Sequence, residues 1–208
     1  MAFPIVPSKT AMLFFDTLNV YLHPRDEAAR AAVEASGVIP AMERINRACR
    51  ETGIAIFYAQ ADHRPDLRDF HPHIVDRGHG PAGAEPILTK PPAAVSGSWE
   101  AEIIPELAPR PEDYIIKKHR WSTFYQTHFE LSLRTAGIDT IMMAGGSTEV
   151  GVASTAYSAR DRDFNLIILR DACRSSHAGV DDFFAERIWP VFARVMTVDQ
   201  AIGMIQKG

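Results

Sequence analysis

The chain has 208 residues, 46% of them hydrophobic and 23% charged, with a formal net charge of −4 and a pI near 6.1. That length is enough for one domain with a full hydrophobic core, and the charge provides no basic field for nucleic acid or an anionic membrane. The apolar runs are strand-length rather than membrane-length, and Met1 to Lys9 has no charged-then-apolar leader pattern. The expected setting is therefore the cytoplasm, with Cys49 and Cys173 as reduced, buried thiols rather than a disulfide framework.

Ala11 to Phe15 is a short continuous apolar run closed by Asp16, which predicts a buried parallel strand. Glu27 to Glu51 carries Ala28, Ala32, Val33, Val38, Ile39, Met42, Ile45 and Cys49 at mostly helical spacing. Gly37 and Pro40 interrupt it, so a short helix or kink is expected before the main helix, which Gly53 ends. Ile54 to Tyr58 reads as the second strand. Residues 61–112 are rich in proline, carry His63, His71, His73 and His79, and lack periodicity, as expected of a long excursion that binds or covers something. Strands follow at Tyr114 to Lys118, Thr140 to Ala144, Asn165 to Leu169 and Val195 to Val198. Helices are predicted at Tyr125 to Ala136, Thr148 to Asp163, Val180 to Phe192 and from Asp199 onward.

This alternation predicts an α/β fold: a doubly wound, six-stranded parallel sheet with helices on both faces, in a single domain over residues 1–208. In such sheets ligands sit beyond the carboxyl ends of the strands. Three of those ends carry chemistry: Asp16, Lys118 and Gly145-Gly146-Ser147. A lysine beside an aspartate can hold the carboxyl group in one orientation for proton transfer. An ordinary structural ion pair is the plain alternative.

Three segments carry a resemblance. Asp16 opens Asp-Thr-Leu-Asn, Lys118 opens Lys-His-Arg-Trp-Ser-Thr-Phe, and Ser147 opens Ser-Thr-Glu-Val-Gly-Val. In order and spacing they resemble the Asp, Lys and nucleophile segments of the isochorismatase-like hydrolases, the cysteine hydrolase superfamily. Leu18 stands where a glutamine is usual, and Gly151 stands where most of that superfamily has its nucleophilic cysteine. The resemblance implies a catalytic constellation of Asp16, Lys118 and the Gly151 position. It also implies a cis bond at Gly146-Ser147, with the amides of Ser147 and Gly151 forming an oxyanion hole. Asn19, His23 and His63 are expected to contact substrate, and Trp121 and Phe124 to wall an apolar pocket.

Glycine at 151 removes the acyl-enzyme route. The leading expectation is then a thiol-independent hydrolase of a small molecule, with Asp16 as general acid/base, Lys118 beside it and water as nucleophile. Vinyl-ether cleavage of the isochorismatase type is the leading example, because isochorismatases also have glycine there. One alternative is a C–N hydrolase of amides or ureides whose cysteine is replaced at Gly151, naturally or by engineering. The stretch from Gly97 to Leu107 is similar to that branch. Another is a non-catalytic binding protein. Arg64, Arg68, Arg77 and Arg120 are candidates for a carboxylate clamp.

The resemblance implies no cofactor and a homo-oligomer, dimer or tetramer. The helix over Asp181 to Trp189, with Phe183, Phe184, Ile188 and Trp189, is a candidate interface. No metal is expected: relatives that bind one use an Asp-x-His pair, whereas Asp62 and His63 are adjacent. Glu149 is expected to support a helix start. Cys173 is read as packing rather than as a substitute nucleophile.

Overall fold

Strand β1 (Thr10–Phe15) is buried along its whole length, because both of its neighbours are parallel strands and both faces are covered. The computed structural model describes residues 3–70 and 92–206. His71, His73, Arg77 and His79 lie outside the described residues. In chain order β1 is followed by α1 (Asn19–Leu22), α2 (Glu27–Ser36), α3 (Val38–Thr52), β2 (Ala55–Ala61) and β3 (Tyr114–Lys118). Then come α4 (Phe129–Thr135), β4 (Thr140–Gly146), α5 (Ala153–Arg160), β5 (Asn165–Arg174), α6 (Val180–Phe183), β6 (Arg194–Met196) and α7 (Val198–Met204). The sheet is all parallel, in the order β3-β2-β1-β4-β5-β6, with helices on both faces. This is the three-layer α/β fold expected from the sequence.

Side chains alternate along β1 and so divide the core. Met12 and Phe14 join Met42, Ile45 and Tyr58 on one face, while Leu13 and Phe15 join Phe57, Phe129, Phe164 and Trp189 on the other. The division places the Phe15 ring on the α5 side of the sheet, beneath the turn that holds residue 151.

Several elements differ from the sequence expectation, each for a local reason. The interruption at Gly37 is a left-handed residue (φ +67°) that ends α2 and starts α3, and Pro40 sits harmlessly in the first turn of α3. The helix expected from Tyr125 starts instead at Phe129. Ser122 and Thr127 hydroxyls capture the Phe124 and Phe129 amides, and Gln126 adopts φ +54°. The helix expected over Thr148 to Asp163 opens as a wide π-type turn, Thr148–Val152, before α5. The helix expected over Val180 to Phe192 narrows to α6, a π-type turn (Phe184–Ile188) and a 3₁₀ turn (Trp189–Val191). Pro190 cannot continue an α-helix there. Trp189 is buried in the core while Phe183 is exposed, so the candidate interface segment has its aromatic residues split between the two environments. Strands β2, β4 and β5 run further than expected, to Ala61, Gly146 and Arg174.

Candidate active site

The carboxyl ends of β1, β3 and β4 meet on one rim, as the topology requires. Asp16 follows β1 in a left-handed conformation (φ +46°), its amide held by the Ala59 carbonyl at 2.8 Å. Lys118 ends β3, two strands away and therefore roughly 10 Å distant in backbone terms. Its side chain crosses the end of β2 and places Nζ 2.7 Å from Asp16 Oδ2. The other oxygen, Oδ1, accepts from the Ala61 amide at 2.8 Å. Both residues are buried, and the Lys118 ammonium also lies 4.3 Å from the centre of the Phe15 ring.

The β4 end supplies the third wall. Gly145 pairs with Phe15 at φ +129°, and a side chain there would collide with the Phe15 backbone, so glycine is required. The Gly146-Ser147 bond is cis. A Cβ on Gly146 would lie 2.7 Å from the Arg174 carbonyl oxygen, so β4 and β5 also approach closely here. Among the described residues, no acceptor faces the Ser147 amide. Gly151 lies in the turn that follows. A Cβ at residue 151 would overlap Cε1 and Cζ of Phe15. The space that a side chain at this position would need is therefore filled by an aromatic ring.

These groups open onto a cavity of about 440 Å³. Asp16, Lys118, Gly145, Gly146, Ser147 and Gly151 form its polar floor beside the Phe15 ring, and Val20, Tyr21, Leu22, Val33, Met42 and Trp121 its apolar sides, with Arg174 and Ser176 at the β5 end. Such a vessel suits a small molecule.

The sequence-predicted residues fall in different places. Asp16, Lys118, Gly146, Ser147, Gly151 and Trp121 come together in the cavity. Phe124 packs in the core against Phe129, with ring centres 4.9 Å apart. Asn19 donates to the Trp99 carbonyl at 2.9 Å and so ties α1 to the segment before β3. His23 pairs with Glu106 at 3.0 Å. Arg64 pairs with Asp66, and Arg120 donates to the carbonyls of Asp69 and His119. Glu149 faces His177 at 3.2 Å. Cys173 is buried behind the floor, and burial pushes its thiol above the ordinary range.

His63 lies beside Asp69 (3.4 Å), which also meets His119 (3.2 Å). The donor atoms of these three side chains lie within 4.8 Å of one another, so they could hold a metal ion. Burial pushes the His63 imidazole below its ordinary value. Asp62 and His63 are adjacent in sequence and lack the Asp-x-His spacing, whereas the fold gathers a different set, His63, Asp69 and His119. His119 follows the lysine by one residue, and no local spacing links it to Asp69. Phe15, Tyr21 and Arg174 were also missed as site residues. For Phe15 the signal was available, since strand alternation sends it to the α5 face next to Asp16.

The family model for the isochorismatase domain matches residues 10–200. The chain belongs to the isochorismatase domain family. It is an isochorismatase-like hydrolase, an enzyme of that superfamily. YecD of Escherichia coli O157:H7, an uncharacterized isochorismatase family protein, is 38% identical over 113 residues, covering 50% of this chain and 60% of that protein. Ureidoacrylate amidohydrolase RutB of Methylobacterium radiotolerans is 29% identical over 202 residues, covering 86% of this chain and 75% of that protein. The crystal structure of an isochorismatase-like hydrolase from Alkaliphilus metalliredigens is similar at a TM-score of 0.74 and 29% identity, covering 94% of this chain and 98% of that one.

Proposed function

We propose that this isochorismatase-like hydrolase cleaves a C–N bond in a small amide or ureide by direct attack of water, without a covalent thiol intermediate. The observation that carries the reading is the hydrogen bonding of Asp16. One oxygen accepts from Lys118 Nζ and the other from the Ala61 amide. A carboxyl group that accepts on both oxygens is arranged as a base, ready to take a proton from water. The similarity to ureidoacrylate amidohydrolase RutB supports the C–N class.

In this mechanism water adds to the substrate carbonyl while Asp16 takes its proton. The developing oxyanion is met by the Ser147 and Gly151 amides, at the start of the turn leading into α5. Lys118 holds the carboxylate and balances its charge. Collapse of the tetrahedral intermediate breaks the C–N bond, and Asp16 returns the proton to the leaving amine. The products are a carboxylic or carbamic acid and an amine. Gly151 takes the place of the family cysteine and contributes its amide alone.

A second reading is enol-ether hydrolysis of the isochorismatase type. The ring-filled position at residue 151 favours it, because that chemistry requires an acid and water but no nucleophilic side chain. A panel of small ureides, amides and enol ethers, run in ¹⁸O-water with intact-mass analysis, tests both. One ¹⁸O in the carboxylic acid released from an amide, or amine and CO2 released from a ureide, with no protein adduct, is expected. An adduct at Cys173, or turnover confined to enol ethers, would overturn the first reading.

A further inference from the structure

The turn that carries Ser147 and Gly151 to the cavity floor is loosely bonded within itself. It opens as a π-type turn, Thr148–Val152, and among the described residues no side chain caps its first amides. The Ser147 carbonyl accepts from the Val152 amide at 3.1 Å and, more weakly, from the Val150 amide at 3.4 Å. Its placement on the rim therefore depends on what it touches.

Asp181 supplies that contact. It lies in the first turn of α6, yet its carboxylate does not cap α6. Oδ1 accepts instead from the Thr148 hydroxyl, and both oxygens accept from the Ser175 amide, at 2.9 and 3.1 Å. Thr148 is wholly buried and Ser175 nearly so. Ser175 follows Arg174, the partner of Gly146 in the sheet. One carboxylate thus joins the end of β5 to the residue after Ser147, and hydrogen bonds to an ionised acceptor are the stronger kind. Glu149 and His177 form a second tie across the same gap, but the histidine is largely in solvent, so that tie contributes little. Asp181 lies outside the cavity lining. Any effect it has on the reaction passes through the turn.

We infer that Asp181 is a positioning residue for the proposed hydrolysis: through Thr148 it fixes the turn whose Ser147 and Gly151 amides receive the developing oxyanion. The inference rests on reading the cavity as a C–N hydrolase site and adds a group outside the cavity on which the chemical step depends. Oxyanion donors work only where the charge develops, so a displaced turn costs rate. The substrate's contacts inside the cavity stay intact, so binding is spared. The turn needs an acceptor at residue 181, and an amide oxygen serves as well as a carboxylate.

The test compares Asp181→Ala, Asp181→Asn, Thr148→Val and the double variant Asp181→Ala/Thr148→Val, each shown to be folded by circular dichroism. Steady-state kinetics are measured on the ureides and amides that the wild type turns over. In Asp181→Ala and Thr148→Val, kcat should fall by about 10–100-fold, with KM within about threefold. The double variant should be no slower than Asp181→Ala, because both changes remove the same bond. Asp181→Asn should restore kcat to within about fivefold of the wild type. Unchanged kcat in a folded Asp181→Ala protein, a loss that falls on KM instead, or Asp181→Asn as slow as Asp181→Ala would each overturn the inference and leave the hydrolase reading standing. A wild type that turns over no ureide or amide would overturn that reading, and the inference with it.

Discussion

The ring of Phe15 occupies the space that a side chain on residue 151 would need. The two positions are far apart in sequence, but β1 and the turn after β4 bring them together on one face of the sheet. The same ring lies 4.3 Å from the Lys118 ammonium, so it also helps to bury the Asp16–Lys118 ion pair. Gly151 is thus part of a packed arrangement, in which glycine fits the ring and the ring supports the lysine.

This packing predicts the outcome of reintroducing a thiol. Gly151→Cys alone should lose stability by about 1–3 kcal/mol through overpacking and gain no amidase activity. Adding Phe15→Val should relieve the overlap, so that Phe15→Val/Gly151→Cys melts above Gly151→Cys. The thiol of the double variant should alkylate faster than buried Cys173. Urea melts and iodoacetamide mass shifts measure both. A Gly151→Cys protein as stable as the parent would show that the ring moves aside freely.

The ion pair makes a second prediction. Asp16→Asn should lower kcat by about 10²–10⁴-fold, the usual range for losing a general acid/base. Lys118→Met should leave a buried carboxylate without its partner and cost about 3–5 kcal/mol. In the double variant Asp16→Asn/Lys118→Met, part of that stability should return, because neither charge is left stranded. Urea denaturation of the four proteins closes the cycle; additive losses would mean that the two groups are not coupled in solution.

Much of this site was legible from local pattern. The apolar run ending at Asp16, the strand ending at Lys118 and the double glycine before Ser147 each mark the end of a strand, and parallel topology places all such ends on one rim. What the pattern could not carry was how far and in which direction side chains reach. Phe124 shares the Lys118 segment, yet it turns into the core between Phe129 and Phe164. Arg174 was hidden because the apolar run of β5 stops at Leu169, while the strand itself continues through Asp171 to Arg174 by pairing with Gly145 and Gly146. The helix starts after Ser122 and Thr148 were misplaced for a similar reason. Hydroxyl-to-backbone bonds and a π-type turn decide those boundaries, and neither leaves a hydrophobic period.

Cys173 supplies a third prediction. Its thiol is buried, and no cavity-lining role falls to it. Cys173→Ala should keep kcat/KM within about twofold and cost about 1 kcal/mol for the lost packing. A collapse of turnover in a folded Cys173→Ala protein would instead give sulfur a role in the chemistry.

The last prediction concerns alkaline pH. Tyr58 is fully buried, with its ring stacked on Phe14 at 5.5 Å. Burial pushes its phenol above the ordinary value of 10.0, with Asp113 acting in the same direction and Arg50 against it. The folded protein therefore holds this proton more tightly than the unfolded chain does. Above pH 10 the unfolded chain releases it first, and each further unit favours unfolding by up to about 1.4 kcal/mol until the folded phenol also ionises. The contribution is intact below pH 10 and is lost as the pH rises. Tyr58→Phe keeps the ring and removes the titrating group. Between about pH 8 and pH 11 the wild type should therefore lose more stability in urea melts than Tyr58→Phe does. Parallel losses in the two proteins would show that the phenol is not protected by the fold.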